Sequence, residues 1–104
     1  MKTALITGAT SGIGYATAKL LASTKNYKLI LCGRRKDKLI QLQHELSDCQ
    51  VHILNFDIQN FNECQDAVNS LPENFQTIDI LINNAGLALG LDLIHEGSLD
   101  HWNT

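Results

Sequence analysis

Short apolar runs and longer amphipathic stretches alternate along this chain. Thr3 to Thr7, Lys28 to Cys32, Val51 to Phe56 and Ile78 to Ile82 each carry apolar residues at consecutive positions for part of their length. A strand with one face in water alternates apolar and polar residues, so consecutive apolar positions predict strands covered on both faces. Between them lie stretches with apolar residues at helical spacing. The first, Gly12 to Ser23, predicts Ile13, Ala16 and Leu20 pointing inward with Tyr15 beside them. The second, Lys36 to Leu46, offers Leu39, Leu42 and Leu46. In the third, Asn60 precedes Glu63 as a capping pair, Phe61, Cys64, Val68 and Leu71 form one face, and Pro72 stops the helix. These stripes read as core.

Strands alternating with helices predict βαβ units and a parallel sheet, an α/β architecture of the doubly wound kind with strand order 3-2-1-4. Residues 1–104 read as one domain, with no internal repeat, low-complexity stretch or linker. Ser98-Leu99-Asp100-His101-Trp102 reads as a helix cap and a first turn, so the sequence is expected to stop inside an element. The fourth strand is then expected to be an edge with unpaired backbone groups.

Behind the first strand comes Thr7-Gly8-Ala9-Thr10-Ser11-Gly12-Ile13-Gly14. Glycines there let the backbone turn sharply out of a strand and let anion oxygens approach main-chain N–H groups with no Cβ in the way. The helix that follows supplies unpaired donors and a partial positive charge. Thr7 is placed to hydrogen-bond back across the turn. Asn83-Asn84-Ala85-Gly86 leaves the fourth strand. In a 3-2-1-4 sheet these two loops flank one crevice, where the chain reverses direction and ligands bind. The Asn-Asn-Ala-Gly run is either a plain turn or a set of amides that bridges strands and faces a ribose without adding charge.

Composition narrows the partners. A net charge of −3 excludes a general nucleic-acid or anionic-membrane binder, so any anion must be held locally. Local charge is found at Gly33-Arg34-Arg35, about 20 residues past the glycine turn, where an NAD site carries Asp or Glu. A small residue leaves room for a 2′-phosphate and a guanidinium fork binds it, which favours NADP(H); the alternative is a solvated basic helix start. Asp57-Ile58 ends the third strand, and Asp57 also fits a turn residue bonding its own backbone. The three cysteines are odd in number and lack C-x-x-C spacing, which suits a reducing cytoplasm and predicts neither disulfides nor a zinc ribbon. The four histidines show no ligand spacing, so no metal is expected. No apolar run reaches the length of a signal h-region or a membrane span.

In motif and element order the whole chain resembles the N-terminal part of the short-chain dehydrogenase/reductase family, through G-x-x-x-G-x-G at Gly8 to Gly14 and Asn83-Asn84-Ala85-Gly86 after the fourth strand. The resemblance implies a Rossmann-type sheet, truncated here after its fourth strand. It implies that Thr7, Gly8, Ala9, Thr10, Ser11, Gly12, Ile13 and Gly14 hold pyrophosphate and that Arg34 and Arg35 select NADP(H). It gives Asp57 the adenine amino group, Ile58 the adenine ring, and Asn83, Asn84, Ala85 and Gly86 the ribose and nicotinamide side. The activity implied is hydride transfer with a small-molecule alcohol or ketone, in a homo-oligomer at full length. Asn84 to Gly90 with Ser98, Asp100 and Trp102 is similar to the NADP-dependent 3-hydroxy-acid dehydrogenases of that family.

The family's catalytic Ser and Tyr-x-x-x-Lys belong to a later half, so these residues alone are expected to be inactive. Tyr15-Ala16-Thr17-Ala18-Lys19 matches Tyr-x-x-x-Lys formally but lies on the phosphate-binding helix, and Asn103 falls too early for the family's catalytic Asn. A non-catalytic nucleotide-binding module, or an epimerase or dehydratase of the same wider fold, stands as the alternative.

Overall fold

The pairing of β1 (Lys2–Thr7) with a strand on each side sets the architecture. The computed structural model describes residues 1–10, 12–57 and 59–83. In chain order β1 is followed by α1 (Gly12–Thr24), β2 (Tyr27–Gly33), α2 (Lys36–Glu45), β3 (Val51–Asn55), α3 (Phe61–Asn69), a 3₁₀ turn (Glu73–Phe75) and β4 (Ile80–Asn83). The four strands run in the order β3-β2-β1-β4, all parallel, with Ala4 beside Leu29 on one side and beside Ile80 on the other. This is the doubly wound order expected from the alternating pattern.

Side chains alternate across the sheet. Ala4, Ile6, Leu29 and Leu31 join one core with Ala18, Leu39 and Leu42 of α1 and α2; Leu5, Ile30 and Cys32 join the other with Cys64 of α3, Phe75 and Ile78. Leu5, Ile6, Leu29, Ile30 and Leu31 are fully buried, each burial contributing about 1.5–3 kcal/mol relative to exposure. The inward stripe foreseen for α2 is the observed one, since Leu39, Leu42 and Leu46 are all buried.

The stripe foreseen for α1 is not. Ile13 is 74% and Leu20 66% exposed, and Ala16 is exposed too, whereas Gly14 and Ala18 are buried. Apolar residues run round this helix, so spacing alone does not choose a face; close approach does. An ideal Cβ on Gly14 would lie 2.1 Å from the Gly8 carbonyl oxygen. Only the face led by Gly14 and Ala18 lets α1 lie this near the loop and the sheet. Phe61 is likewise 45% exposed rather than inward, because Phe56 and Cys64 already fill the core beneath that end of α3.

Other boundaries have local causes. Asn60 accepts a hydrogen bond from the Glu63 N–H at 3.0 Å and so caps α3, but the Glu63 carboxylate reaches the Asp57 N–H at 3.1 Å rather than Asn60. Asp79 starts β4 two residues later than expected: its carboxylate accepts from the Thr3 N–H and its own N–H donates to the Thr3 carbonyl, both at 2.8 Å. Ile78 remains fully buried as a core plug ahead of the strand. The 3₁₀ turn that follows Pro72 has no counterpart in the sequence reading. It brings Phe75 under His52, ring centroids 5.5 Å apart, and burial there pushes the His52 pKa below the usual imidazole value. Among the described residues Cys32, Cys49 and Cys64 form no disulfide with one another.

Replacing Gly14 by Ala is expected to destabilise the fold by about 3 kcal/mol, because backbone rather than a flexible side chain must give way. At Gly33 a Cβ would meet Leu39 and Thr10 at an ordinary 3.5 Å, so Gly33→Ala is expected to be close to neutral. Denaturant midpoints of the two variants check the contrast.

Candidate functional site

The glycine-rich loop is a backbone device. Gly8 (φ 62°) and Gly12 (φ 53°) both occupy the left-handed region, where a side chain costs roughly 1–2 kcal/mol. The Ala9 N–H donates to the Cys32 carbonyl at 3.2 Å, which pins the loop to the end of β2. Ala9 is therefore buried framework rather than an open donor. Apart from its chain neighbours and the backbone of α1 itself, no described residue comes within 4 Å of the position a Cβ on Gly12 would take, so on that side the space before the first turn of α1 is open. That turn carries N–H groups with no intrahelical acceptor. Openness, donors and the positive end of a helix dipole together make an anion seat.

Beside it lies a cavity of about 340 Å³ at the carboxyl ends of β1, β2 and β3. Its lining joins Thr7, Gly8 and Thr10 of the loop, Cys32 and Gly33 of β2, Arg34, Arg35 and Lys38 at the start of α2, and Phe56, Asp57 and Gln59 after β3. Among the described residues Arg34, Arg35 and Lys38 make no ion pair and no side-chain hydrogen bond. Gly33 leaves the floor between loop and cations unfilled. The Phe56 N–H and the Asn55 side-chain amide both donate to the Gly33 carbonyl, at 3.0 and 3.1 Å, fixing the point from which Arg34 departs. Asp57 accepts from the Gln59 N–H at 2.9 Å, the turn bond expected of it, and lines the cavity wall. Burial, reinforced by Cys64, pushes the Cys32 thiol far above the usual range, so it lines the cavity as a neutral group rather than a nucleophile.

Thr7 also links the first strand to the fourth. Its hydroxyl donates to the Asn83 side-chain oxygen at 2.9 Å, across to β4. The two loops that leave β1 and β4 are thus tied at their roots, at the place where the chain reverses direction. Ser11, Ile58, Asn84, Ala85 and Gly86 lie outside the described residues, as do Ser98 to Trp102 and Asn103.

The Tyr15 hydroxyl donates to both carboxylate oxygens of Glu45, at 2.9 and 3.0 Å, and the Lys19 ammonium sits 5.3 Å from the centre of the Tyr15 ring. The pair is engaged with α2 and does not line the cavity. Lys38, Phe56 and Gln59 do line it and were not singled out from sequence; the signal for Lys38 was a third cation close behind Arg34 and Arg35. No group of His, Cys, Asp or Glu able to hold a metal ion exists among the described residues, nor does any helix there have the length and apolarity to cross a membrane.

A sequence profile described as short chain dehydrogenase matches residues 2–104. The chain belongs to the short chain dehydrogenase family. Among curated members of that family it is 44% identical over 102 residues to serine 3-dehydrogenase of Agrobacterium fabrum, with 98% of this chain and 40% of the relative covered. It is 39% identical over 100 residues to the NADP-dependent 3-hydroxy acid dehydrogenase of Escherichia coli, with 96% and 40% covered. The chain therefore spans about two fifths of the length of these dehydrogenases. Serine dehydrogenase from Escherichia coli superposes with a TM-score of 0.79 at 31% identity, over 91% of this chain and 53% of that one.

Thr7→Val, which keeps the shape and removes the donor, is expected to cost about 1 kcal/mol. It should also speed hydrogen exchange at Ile82 and Asn83 while leaving β2 amides unchanged. Exchange measured residue by residue checks both parts.

Proposed function

We propose that residues 1–104 form a nucleotide-binding domain that supplies NADP(H) to a short chain dehydrogenase. The enzyme would move a hydride between the nicotinamide and the carbon of a secondary alcohol or ketone. The relatives' names direct the substrate class toward 3-hydroxy acids such as serine. The observation that carries the reading is the cavity that brings Thr7, Gly8 and Thr10 against Gly33, Arg34, Arg35 and Asp57. These residues come from three separate strand ends, and each supplies a different part of what a phosphorylated dinucleotide needs.

When bound, NADP(H) supplies the hydride acceptor or donor. Gly8, Gly12 and Gly14 keep side chains out of the approach to the first turn of α1, where main-chain N–H groups of the loop other than that of Ala9 hold the pyrophosphate. Ala9 positions that loop by its bond to Cys32. Arg34 and Arg35 meet the 2′-phosphate, which carries about −1.5 to −2 charge at neutral pH. Asp57 accepts from the adenine amino group and Ile58 packs on the ring. Asn83, Asn84, Ala85 and Gly86 face the ribose and the nicotinamide side, with Thr7 fixing the side chain of Asn83. None of these residues is assigned the proton transfer.

Arg34→Ala is expected to weaken NADPH binding by roughly ten- to a hundredfold, the value of a lost charge-assisted hydrogen bond, and to leave NADH binding nearly unchanged. Equilibrium titration of both cofactors against wild type and variant tests this. Equal losses for the two would remove Arg34 from the 2′-phosphate.

A further inference from the structure

We propose that Lys38 is a further specificity-determining residue, taking the face of the 2′-phosphate that the Arg34 guanidinium leaves open; the proposal rests on the NADP(H) reading of the same cavity. Lys38 lies in the first turn of α2, three positions after the N-cap Arg35, and lines the cavity together with Arg34 and Arg35, which lead into the helix. In a chain of net charge −3, three cations on one cavity wall without ion-pair partners among the described residues are not the background. They repel one another until an anion enters.

The start of α2 adds to this. Helices ordinarily begin on Ser, Thr, Asp or Asn, whose oxygen satisfies a first-turn N–H, but here the N-cap is Arg35, which makes no side-chain capping bond. A positive helix end is thus met by more positive charge in place of a capping oxygen.

Lys38 also borders a second groove, shared with Thr10, Tyr15 and Glu45. Glu45 is the acid on α2 that faces this groove, and its carboxylate is occupied by the Tyr15 hydroxyl. Asp37 precedes Lys38 directly and so projects from a different side of the helix. Asp57 lines the cavity with the three cations, leaving an excess of positive charge there. The chemistry divides by side chain. A guanidinium fork fixes two oxygens of a phosphate in a plane, and a flexible ammonium reaches the remaining oxygen as a point charge.

The test is a binding titration of the whole protein with adenosine 2′,5′-bisphosphate and adenosine 5′-monophosphate, probes that differ only in the 2′-phosphate. Lys38→Met keeps the stem and the helix propensity and removes the charge. The expected result is a loss of about tenfold for the bisphosphate, with the monophosphate unchanged and Lys38→Arg restoring most of the affinity. Lys38→Gln gives a second neutral variant, and unchanged melting shows that either one folds. No loss in either neutral variant, or equal losses for both probes, overturns the role of Lys38. If Arg34→Met selectively weakens the bisphosphate in that case, the NADP(H) reading stands without Lys38. If wild type binds both probes equally and Arg34→Met changes nothing, both readings fall.

Discussion

The Gly8 carbonyl occupies the space from which a side chain at position 14 would grow, and the rest of the site follows from that contact. It draws the first turn of α1 onto the loop that leaves β1, so the helix's unpaired N–H groups open at the end of the sheet. It forces the loop through two left-handed residues, Gly8 and Gly12. It also decides which face of α1 is buried, because the small side of the helix must lie inward for the approach to exist. Affinity for an anion and the stability of α1 on the sheet thus share one geometric cause.

Charge is arranged around that contact locally. The chain as a whole is acidic, yet the end of β2 delivers Arg34, Arg35 and Lys38 to one cavity wall without ion-pair partners among the described residues. Such clustering costs stability through like-charge repulsion, a cost that the proposed dianion would offset. Rigid backbone positions the cluster: two donors converge on the Gly33 carbonyl, and the loop is fixed to Cys32 by the Ala9 N–H. The cations can therefore be mobile at their tips and still converge.

The sheet was legible in the chain because strands buried on both faces leave consecutive apolar residues, as in Leu29 to Cys32, and because parallel order follows from alternation with helices. The glycine loop and Gly33-Arg34-Arg35 were legible because backbone conformation and charge are written in single residue types. The face of α1 was not, since Ile13 and Leu20 are as apolar as any core residue and the deciding contact is between backbone atoms distant by six positions. The bond from Thr7 to Asn83 was hidden for a related reason: only the β1–β4 register places Asn83 next to it. Lys38 was visible as a charge, but its position on the cavity wall depends on where α2 begins.

The central claim is that a phosphorylated dinucleotide lies along the glycine loop with its 2′-phosphate on the cations at the start of α2. Backbone amide chemical shifts followed through parallel titrations with NADP⁺ and NAD⁺ test it directly. The account predicts that both ligands move the amides from Thr7 to Gly14, while only NADP⁺ moves those from Gly33 to Lys38. Shifts confined to other surfaces, or identical responses of Gly33 to Lys38 to the two ligands, would contradict it.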